Sequence, residues 1–427
     1  MKHTFTSLLL LLCLAPLSQA QSARKPNVIF ILSDDMGYAD IGSYGVKDIR
    51  TPHLDRLTRE GVRLTNCYSN GPVCTPTRAA FVTGRYQQRV NKAMEWAVLP
   101  EQRNDTLPLS ETTIARMLKD DGYATALIGK WHLGYPLATG PLAHGFDEYF
   151  GIIGGNADMV SHKNINGENV LYEGTKQTKS PGYLTTHLSN RAVKFVEQNK
   201  AKPFFLYLAY NAVHWPFQAP GSPVRNRQTW YDGDRAEYGR MLEAMDSGIG
   251  NVLATLDRLG LAQDTLVIFT NDNGGERLSN NEPFFHHKAT LWEGGIRVPG
   301  IVRWPAALPK GKVSAQAAIT MDFTATILAA TGTKPARTLD GINLLPILQG
   351  KQPVQERTLF WRIITRPDRQ MKAMRQGHWK YVRDGEIGLL FDLQRDPRER
   401  HDLSYQQQQR VRDMQRALDE WEKQFPR

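Results

Sequence analysis

Cysteine is scarce in this chain, with three in 427 residues. That excludes a disulfide-stapled scaffold and leaves open one Cys67–Cys74 bridge or two free thiols. Cys13, the third, sits in an apolar leader. Beyond the first twenty residues no apolar run is long enough to span a bilayer, so no membrane span is expected. Lys and Arg number 53 against 43 Asp and Glu, yet no arginine-rich run or known binding module occurs, which argues against a nucleic-acid partner. No internal repeat is present, which excludes a solenoid. The Gln406–Gln409 run is too short to count as low complexity.

What is present begins with residues 1–20, which read as a signal peptide. Lys2 gives a positive start, Leu8–Leu14 an apolar stretch, and Ser18-Gln19-Ala20 a small-x-small cleavage site. Cys13 lacks the small neighbours of a lipoprotein site. The mature chain is therefore expected to be exported, periplasmic or secreted. Losing Lys2 takes the formal charge from +10 to +9. That charge suits an acidic substrate such as a sulfated glycan through long-range steering, or serves solubility alone.

Four segments share one design, a short apolar run with polar residues at its carboxyl end. Asn27–Ser33 runs into Asp34-Asp35, and Tyr123–Ile128 into Gly129-Lys130-Trp131-His132. Pro203–Tyr210 leads to His214, and Thr265–Thr270 to Asn271-Asp272-Asn273-Gly274-Gly275. Near-continuous apolar runs of this length mark strands buried on both faces. Helices are expected at Thr51–Glu60, with Pro52 in the first turn, and at Ser110–Asp121, Leu184–Gln198 and Glu237–Leu259. The alternation predicts an α/β fold over 21–350, an open and mainly parallel sheet between helices. Ligands in such sheets bind beyond the carboxyl ends of the strands, where all four polar groups lie. After Gly350, strands at Thr358–Ile364, Met371–Arg375, Trp379–Arg383 and Leu389–Leu393, with a turn at Asp384-Gly385, predict a small antiparallel sheet. A helix over Ser404–Gln424 completes a C-terminal subdomain at 351–427.

Cys74-Thr75-Pro76-Thr77-Arg78 is the most informative stretch. Around it stand Asp34, Asp35, Lys130, His132, His214, Asp272, Asn273 and Lys288, the last preceding Glu293-Gly294-Gly295. A soft nucleophile precursor, hard oxygen ligands and several cations suit a divalent metal and an oxyanion at one site, as in hydrolysis of a sulfate or phosphate ester. Each member has a plainer role open to it. Asp34-Asp35 and Asp272-Asn273 also fit turns, though two adjacent acids at a buried strand end repel without a cation. His132 and His214 also fit structural histidines, and Lys288 a surface charge. His286 and His287 read as loop residues with room for a substrate contact.

The chain resembles the type I, formylglycine-dependent sulfatases of the alkaline-phosphatase superfamily. Cys74-Thr-Pro-Thr-Arg78 matches their C-x-P-x-R signature, and Gly122–Gly134 their longer G-Y-x-T-x-x-x-G-K-W-H-L-G signature. Leu390–Pro397 is similar to their C-terminal strand and turn. The resemblance implies an alkaline-phosphatase-like sheet and a sulfuric ester hydrolase. It also implies oxidation of Cys74 to formylglycine by a formylglycine-generating or sulfatase-maturing enzyme, giving an aldehyde whose hydrate attacks sulfur. Asp34, Asp35, Asp272, Asn273 and the modified Cys74 would hold Ca²⁺, or Mg²⁺, in an oxygen shell. Arg78 and Lys130 would hold the hydrate, His132 would be the base that releases sulfate, and His214 and Lys288 would bind sulfate oxygens and serve the leaving alcohol. Asp158 and His162 fall where the family often places sugar-facing residues, and Trp96 would wall the sugar ring, a core or surface role being the alternative for each. The expected substrate is a sulfate monoester on a sulfated small molecule or glycan. The alternatives are a phosphonate or phosphodiester hydrolase sharing the nucleophile, and a non-catalytic binder of sulfated glycans.

Overall fold

Every residue of the strand Asn27–Ser33 is buried, because it lies inside a ten-stranded sheet with helices on both faces. In this computed structural model residues 25–102, 104–366 and 369–425 are described; the expected leader at 1–20 falls outside them. Strand order across the sheet is Lys312–Ser314, Val62–Leu64, Gly300–Arg303, Thr265–Asn271, Asn27–Ser33, Phe204–Ala209, Ala124–Gly129, Glu148–Ile152, Leu171–Glu173 and Lys176–Gln177. The strands from Thr265–Asn271 to Glu148–Ile152 run parallel. Gly300–Arg303 runs antiparallel to both its neighbours, and Leu171–Glu173 and Lys176–Gln177 close the far edge antiparallel. The sheet is thus mainly parallel at its centre and mixed at its edges.

Alternate side chains of each central strand feed two separate cores. Ile29 and Ile31 pack under the helices Leu184–Gln198, Arg235–Arg258 and Pro52–Glu60. Val28, Phe30 and Leu32 pack under Cys74–Thr83, Ile114–Asp120 and Thr320–Thr331. Phe30 stacks on Phe81, ring centroids 3.6 Å apart, which seats the Cys74–Thr83 helix on the central strand. Leu184–Gln198 has the expected bounds, whereas the expected Ser110–Asp121 helix spans only Ile114–Asp120. Its cap is Thr113, whose hydroxyl accepts from Arg116 N, so Ser110 stays outside. The Arg235–Arg258 helix starts earlier than expected because Asp234 caps it through Glu237 N at 2.7 Å.

A four-stranded antiparallel meander follows: Thr358–Arg366, Arg369–Gln376, Trp379–Asp384 and Ile387–Asp392. Gly385, at φ 59°, makes the expected turn. The helix Gln408–Glu422 covers the meander, burying Met414, Leu418 and Trp421. The apolar cluster beneath it includes Tyr68, Ile296 and Ile319, so the meander packs beside the strand that precedes Cys74. Among the described residues no helix is long and apolar enough to cross a membrane.

Candidate active site

Register aligns the ends of the central strands. Ser33 pairs with Asn271, Leu32 with Ala209, and Ala209 with Gly129, so Asp34, Asp272 and Lys130 leave the sheet side by side. Gly129 is required there: it adopts φ 123°, and a Cβ would stand 1.7 Å from Ala209 O. Cys74 opens the helix Cys74–Thr83. Pro76 lies in its first turn, where a missing N–H costs nothing, and Arg78 is one turn on, facing the same side. Thr75 ties this turn to the Lys130–His132 loop, its hydroxyl donating to His132 O at 2.9 Å and accepting from Val98 N at 3.2 Å.

The charged groups converge and are buried. Lys130 Nζ stands 2.6 Å from Asp34 Oδ2 and 3.3 Å from Cys74 Sγ, and Cys74 Sγ is 3.5 Å from Asp34 Oδ1. Arg78 donates to Asp272 Oδ2 and to Lys130 O. Lys288 Nζ is 2.6 Å from Asp35 Oδ2, and His214 Nε2 is 3.5 Å from the same oxygen. Asn273 Nδ2 donates to Asp35 Oδ1 at 2.7 Å. All ten residues expected at the catalytic and metal positions stand in this one cluster apart from His132, which adjoins it through Lys130 and Thr75. Two of them, Asp35 and His132, hold left-handed backbone, at φ 60° and 55°. Such outliers are sustained only where surrounding contacts fix them.

Electrostatics follow from burial. Burial pushes the Cys74 thiol far up, outweighing Lys130, so an unmodified sulfur stays a thiol. Burial alone would raise Asp35, but Lys288, then His214 and Lys130, hold it well below the carboxylate range. Asp272 goes the other way, up to about 6, through burial and then the neighbouring charge of Asp34. Burial, then Lys130 and Arg78, keep His132 neutral. Its Nε2 lies 3.0 Å from Val98 O, and its Nδ1 is buried with no partner. Burial lowers His214 to about 3 against the pull of Asp35.

The donor set fits a hard divalent cation. Asp34, Asp35, Cys74 and His214 each offer an atom within 4.8 Å of the others. Asn273 Oδ1 is buried and unpartnered, the state of an oxygen waiting for a cation rather than a hydrogen. Burial and the neighbouring Asp34 raise the Asp272 carboxyl, and a cation beside both would favour their ionised forms.

Sequence reasoning placed three further residues near a substrate, Asp158, His162 and Trp96, and each is engaged within the fold. Asp158 is fully buried, its carboxylate accepting from Val160 N, Ser161 N, Gln218 Nε2 and Arg225 N. It organises its own loop and has no group here from the metal cluster. His162 is buried with Nε2 unpartnered, 5.7 Å ring to ring from His187. Trp96 is half-buried against the cluster under the C-terminal meander. Cys67 and Cys74 are both free and buried, so there is no bridge between them.

Sequence reasoning missed Asn271, which fixes the turn that carries the acids. It accepts from Ser33 Oγ at 2.7 Å and Met36 N at 3.2 Å, and donates to Met36 O at 2.9 Å. Its place at the strand end, one residue before Asp272, was the available signal. Also missed was a buried network behind Lys288. Glu293 accepts from Lys380 at 2.9 Å, Arg297 at 2.9 Å and Tyr68 at 2.7 Å.

A sulfatase family model matches residues 26–333. A model of the C-terminal part of N-sulphoglucosamine sulphohydrolase matches 281–424. The chain is 33% identical to the steryl-sulfatase of Mus musculus over 96% of its own length and 83% of that protein. It is 32% identical to the N-acetylgalactosamine-6-sulfatase of Canis lupus familiaris, covering 93% of this chain and 85% of the relative. Among solved structures, Ps i-CgsB in complex with k-i-k-neocarrahexaose superposes with a TM-score of 0.84 at 32% identity over 93% of each chain.

Proposed function

The chain belongs to the sulfatase family of the alkaline-phosphatase superfamily and is a sulfuric ester hydrolase, and from that premise we propose that it is an exported enzyme that cleaves a sulfate monoester on a carbohydrate, using Cys74 matured to formylglycine. The observation that carries this reading is the seat of Cys74. Its sulfur, marking where the nucleophilic oxygen would stand, lies at a helix start between Lys130 Nζ at 3.3 Å and Asp34 Oδ1 at 3.5 Å.

Asp34, Asp35, Asp272 and Asn273 would hold Ca²⁺ or Mg²⁺, with the matured residue 74 completing the shell. The bound cation and the aldehyde hydrate together supply an oxygen nucleophile that ionises near neutral pH. Lys130 donates to the atom at position 74 and lowers its proton affinity. Arg78 fixes Asp272 and the Lys130 carbonyl, and so holds the cradle rigid. The three carboxylates are balanced by Arg78, Lys130 and Lys288, so an added divalent cation leaves the pocket positive and attractive to a sulfate anion. Lys288 then stabilises sulfate oxygens. His214, held neutral by burial 3.5 Å from Asp35, would serve the leaving alcohol. His132 accepts a proton at its free Nδ1.

The test pairs two substrates. Enzyme made with a sulfatase-maturing partner should release sulfate from nitrophenyl sulfate, and Cys74→Ala should not, while melting like the wild type. Faster turnover of an aryl phosphodiester than of the sulfate would move the activity to phosphorus esters. Retained activity in Cys74→Ala would refute the nucleophile.

A further inference from the structure

A line of three rings runs from the buried cluster to the surface. His214, 3.5 Å from Asp35, has its ring centroid 4.5 Å from that of Trp215, and Trp215 lies 4.9 Å from Tyr231. Trp215 is half-buried, and Tyr231 is 56% exposed. An exposed tyrosine at the end of such a line offers a ring face to whatever projects from the site.

The 276–278 loop meets the outer end of this line of rings. Arg277 donates to Tyr231 O and lies over the Phe217 ring, 5.2 Å from its centroid. Next to it, Glu276 Oε2 is shielded from solvent and has no hydrogen-bond partner. Gly275, the residue before Glu276, accepts from Lys288 N at 3.1 Å, which sets Glu276 beside the rim of the reaction site. A shielded carboxylate oxygen without a donor is costly unless a ligand supplies one.

We propose that Trp215 and Tyr231 form the platform for the ring that carries the sulfate, and that Glu276 accepts hydrogen bonds from that ring's hydroxyls. The inference rests on the sulfatase reading and narrows its substrate class to a hydroxyl-bearing saccharide, extended outward along Tyr231. A flat apolar alcohol would stack as well but would leave Glu276 unpaired, and a site built around a hydrogen bond rejects an analogue that lacks it.

The test compares sulfate release from nitrophenyl sulfate with release from a panel of sulfated oligosaccharides cut from carrageenan, chondroitin sulfate and heparin. For the best saccharide, the ratio of its kcat/KM to that of the aryl sulfate should fall about tenfold in Tyr231→Ala, the size of one aromatic contact. Tyr231→Phe, which keeps the ring, should restore the ratio. Glu276→Gln should lower it by about tenfold or more. An unchanged ratio in either Tyr231→Ala or Glu276→Gln overturns the proposal, as does aryl sulfate turnover with no oligosaccharide turned over. If matured enzyme releases sulfate from neither substrate, the sulfatase reading itself fails. Calorimetric binding of the same oligosaccharides then decides the platform. About tenfold weaker binding by Tyr231→Ala supports it, and equal or absent binding in both proteins overturns it.

Discussion

Arg78 closes on Asp272 through two nitrogens, Nη2 at 2.8 Å and Nε at 3.2 Å, both to the same oxygen, Oδ2, and both side chains are fully buried. The pairing leaves Oδ1 turned toward Asp35, whose N–H is 3.4 Å away. One carboxylate thus serves two ends, anchoring the helix of Cys74 with one oxygen and facing the acid cluster with the other. Motion of that helix and the charge of the cation cradle are tied together by this contact.

Replacing Asp272 should therefore break both. In Asp272→Ala the buried guanidinium loses its nearest carboxylate and keeps only Asp34 at 3.7 Å, a defect that costs up to about 3–5 kcal/mol, and the acid cluster loses a ligand. Divalent metal content by elemental analysis and sulfate release should fall together. Unchanged metal content would place the ion elsewhere.

Asp246 gives a pH dependence away from the site. It accepts from Leu54 N at 2.7 Å and His53 N at 3.1 Å at the start of the Pro52–Glu60 helix. Burial pushes its carboxyl up from 3.8 to about 6, against those two N–H groups. The folded chain holds this proton more tightly than the unfolded chain. Its stabilising effect is therefore full below about pH 4 and is lost as pH rises through about 6. Asp246→Asn cannot titrate. The wild-type minus variant unfolding free energy, from urea melts, should fall by up to about 3 kcal/mol between about pH 4 and pH 7. A rise over that window would reverse the assignment.

Why these residues meet was legible where chemistry and local pattern coincide. Asp34, Lys130 and Asp272 each follow a buried apolar run, so the parallel register alone gathers them. Val62–Leu64 and Gly300–Arg303 escaped because three or four residues carry too little periodicity to read. The Ile114–Asp120 start was misplaced because Ser110 and Thr113 both suit a cap, and only packing chooses between them. Trp96 could be read as a wall for a sugar, since nothing in a sequence tells which way a loop tryptophan faces; it packs toward the C-terminal cluster. Tyr231 and Glu276 lie in irregular loops, and the contact that joins them, from Arg277 to Tyr231 O, spans 46 residues.

The link between the meander and the catalytic sheet is also testable. Lys380 is fully buried between two acids, 2.9 Å from Glu293 and 2.8 Å from Glu399. Glu399 also accepts from Glu293 N at 2.7 Å, at the start of the short turn that follows Lys288. Lys380→Met would leave two buried carboxyls without their shared cation, at a cost of about 3–5 kcal/mol. Lower melting with earlier proteolytic cleavage after residue 350 is expected. Unchanged melting would mean that Arg297 and Tyr68 suffice to hold Glu293.

The state of Cys74 decides the chemistry, and one tryptic peptide reports it. Leu64–Arg78 carries both Cys67 and Cys74. Cys67 is buried on its strand, with Sγ 3.9 Å from Thr270 Oγ1, and burial raises its thiol to about 12. It is therefore inert in the folded protein, and any change on this peptide falls on Cys74. The Cys74 thiol is itself protonated by burial, so as an unmodified sulfur it would be a poor nucleophile beside Lys130. Protein from a host with a maturing enzyme should give a peptide lighter by hydrogen sulfide and heavier by one oxygen, the aldehyde. The peptide from a host without that enzyme should keep both thiols, with no sulfate release. A mass two hydrogens below the dithiol would mean a Cys67–Cys74 bridge, contradicting both the free thiols of the fold and the nucleophile assigned to position 74.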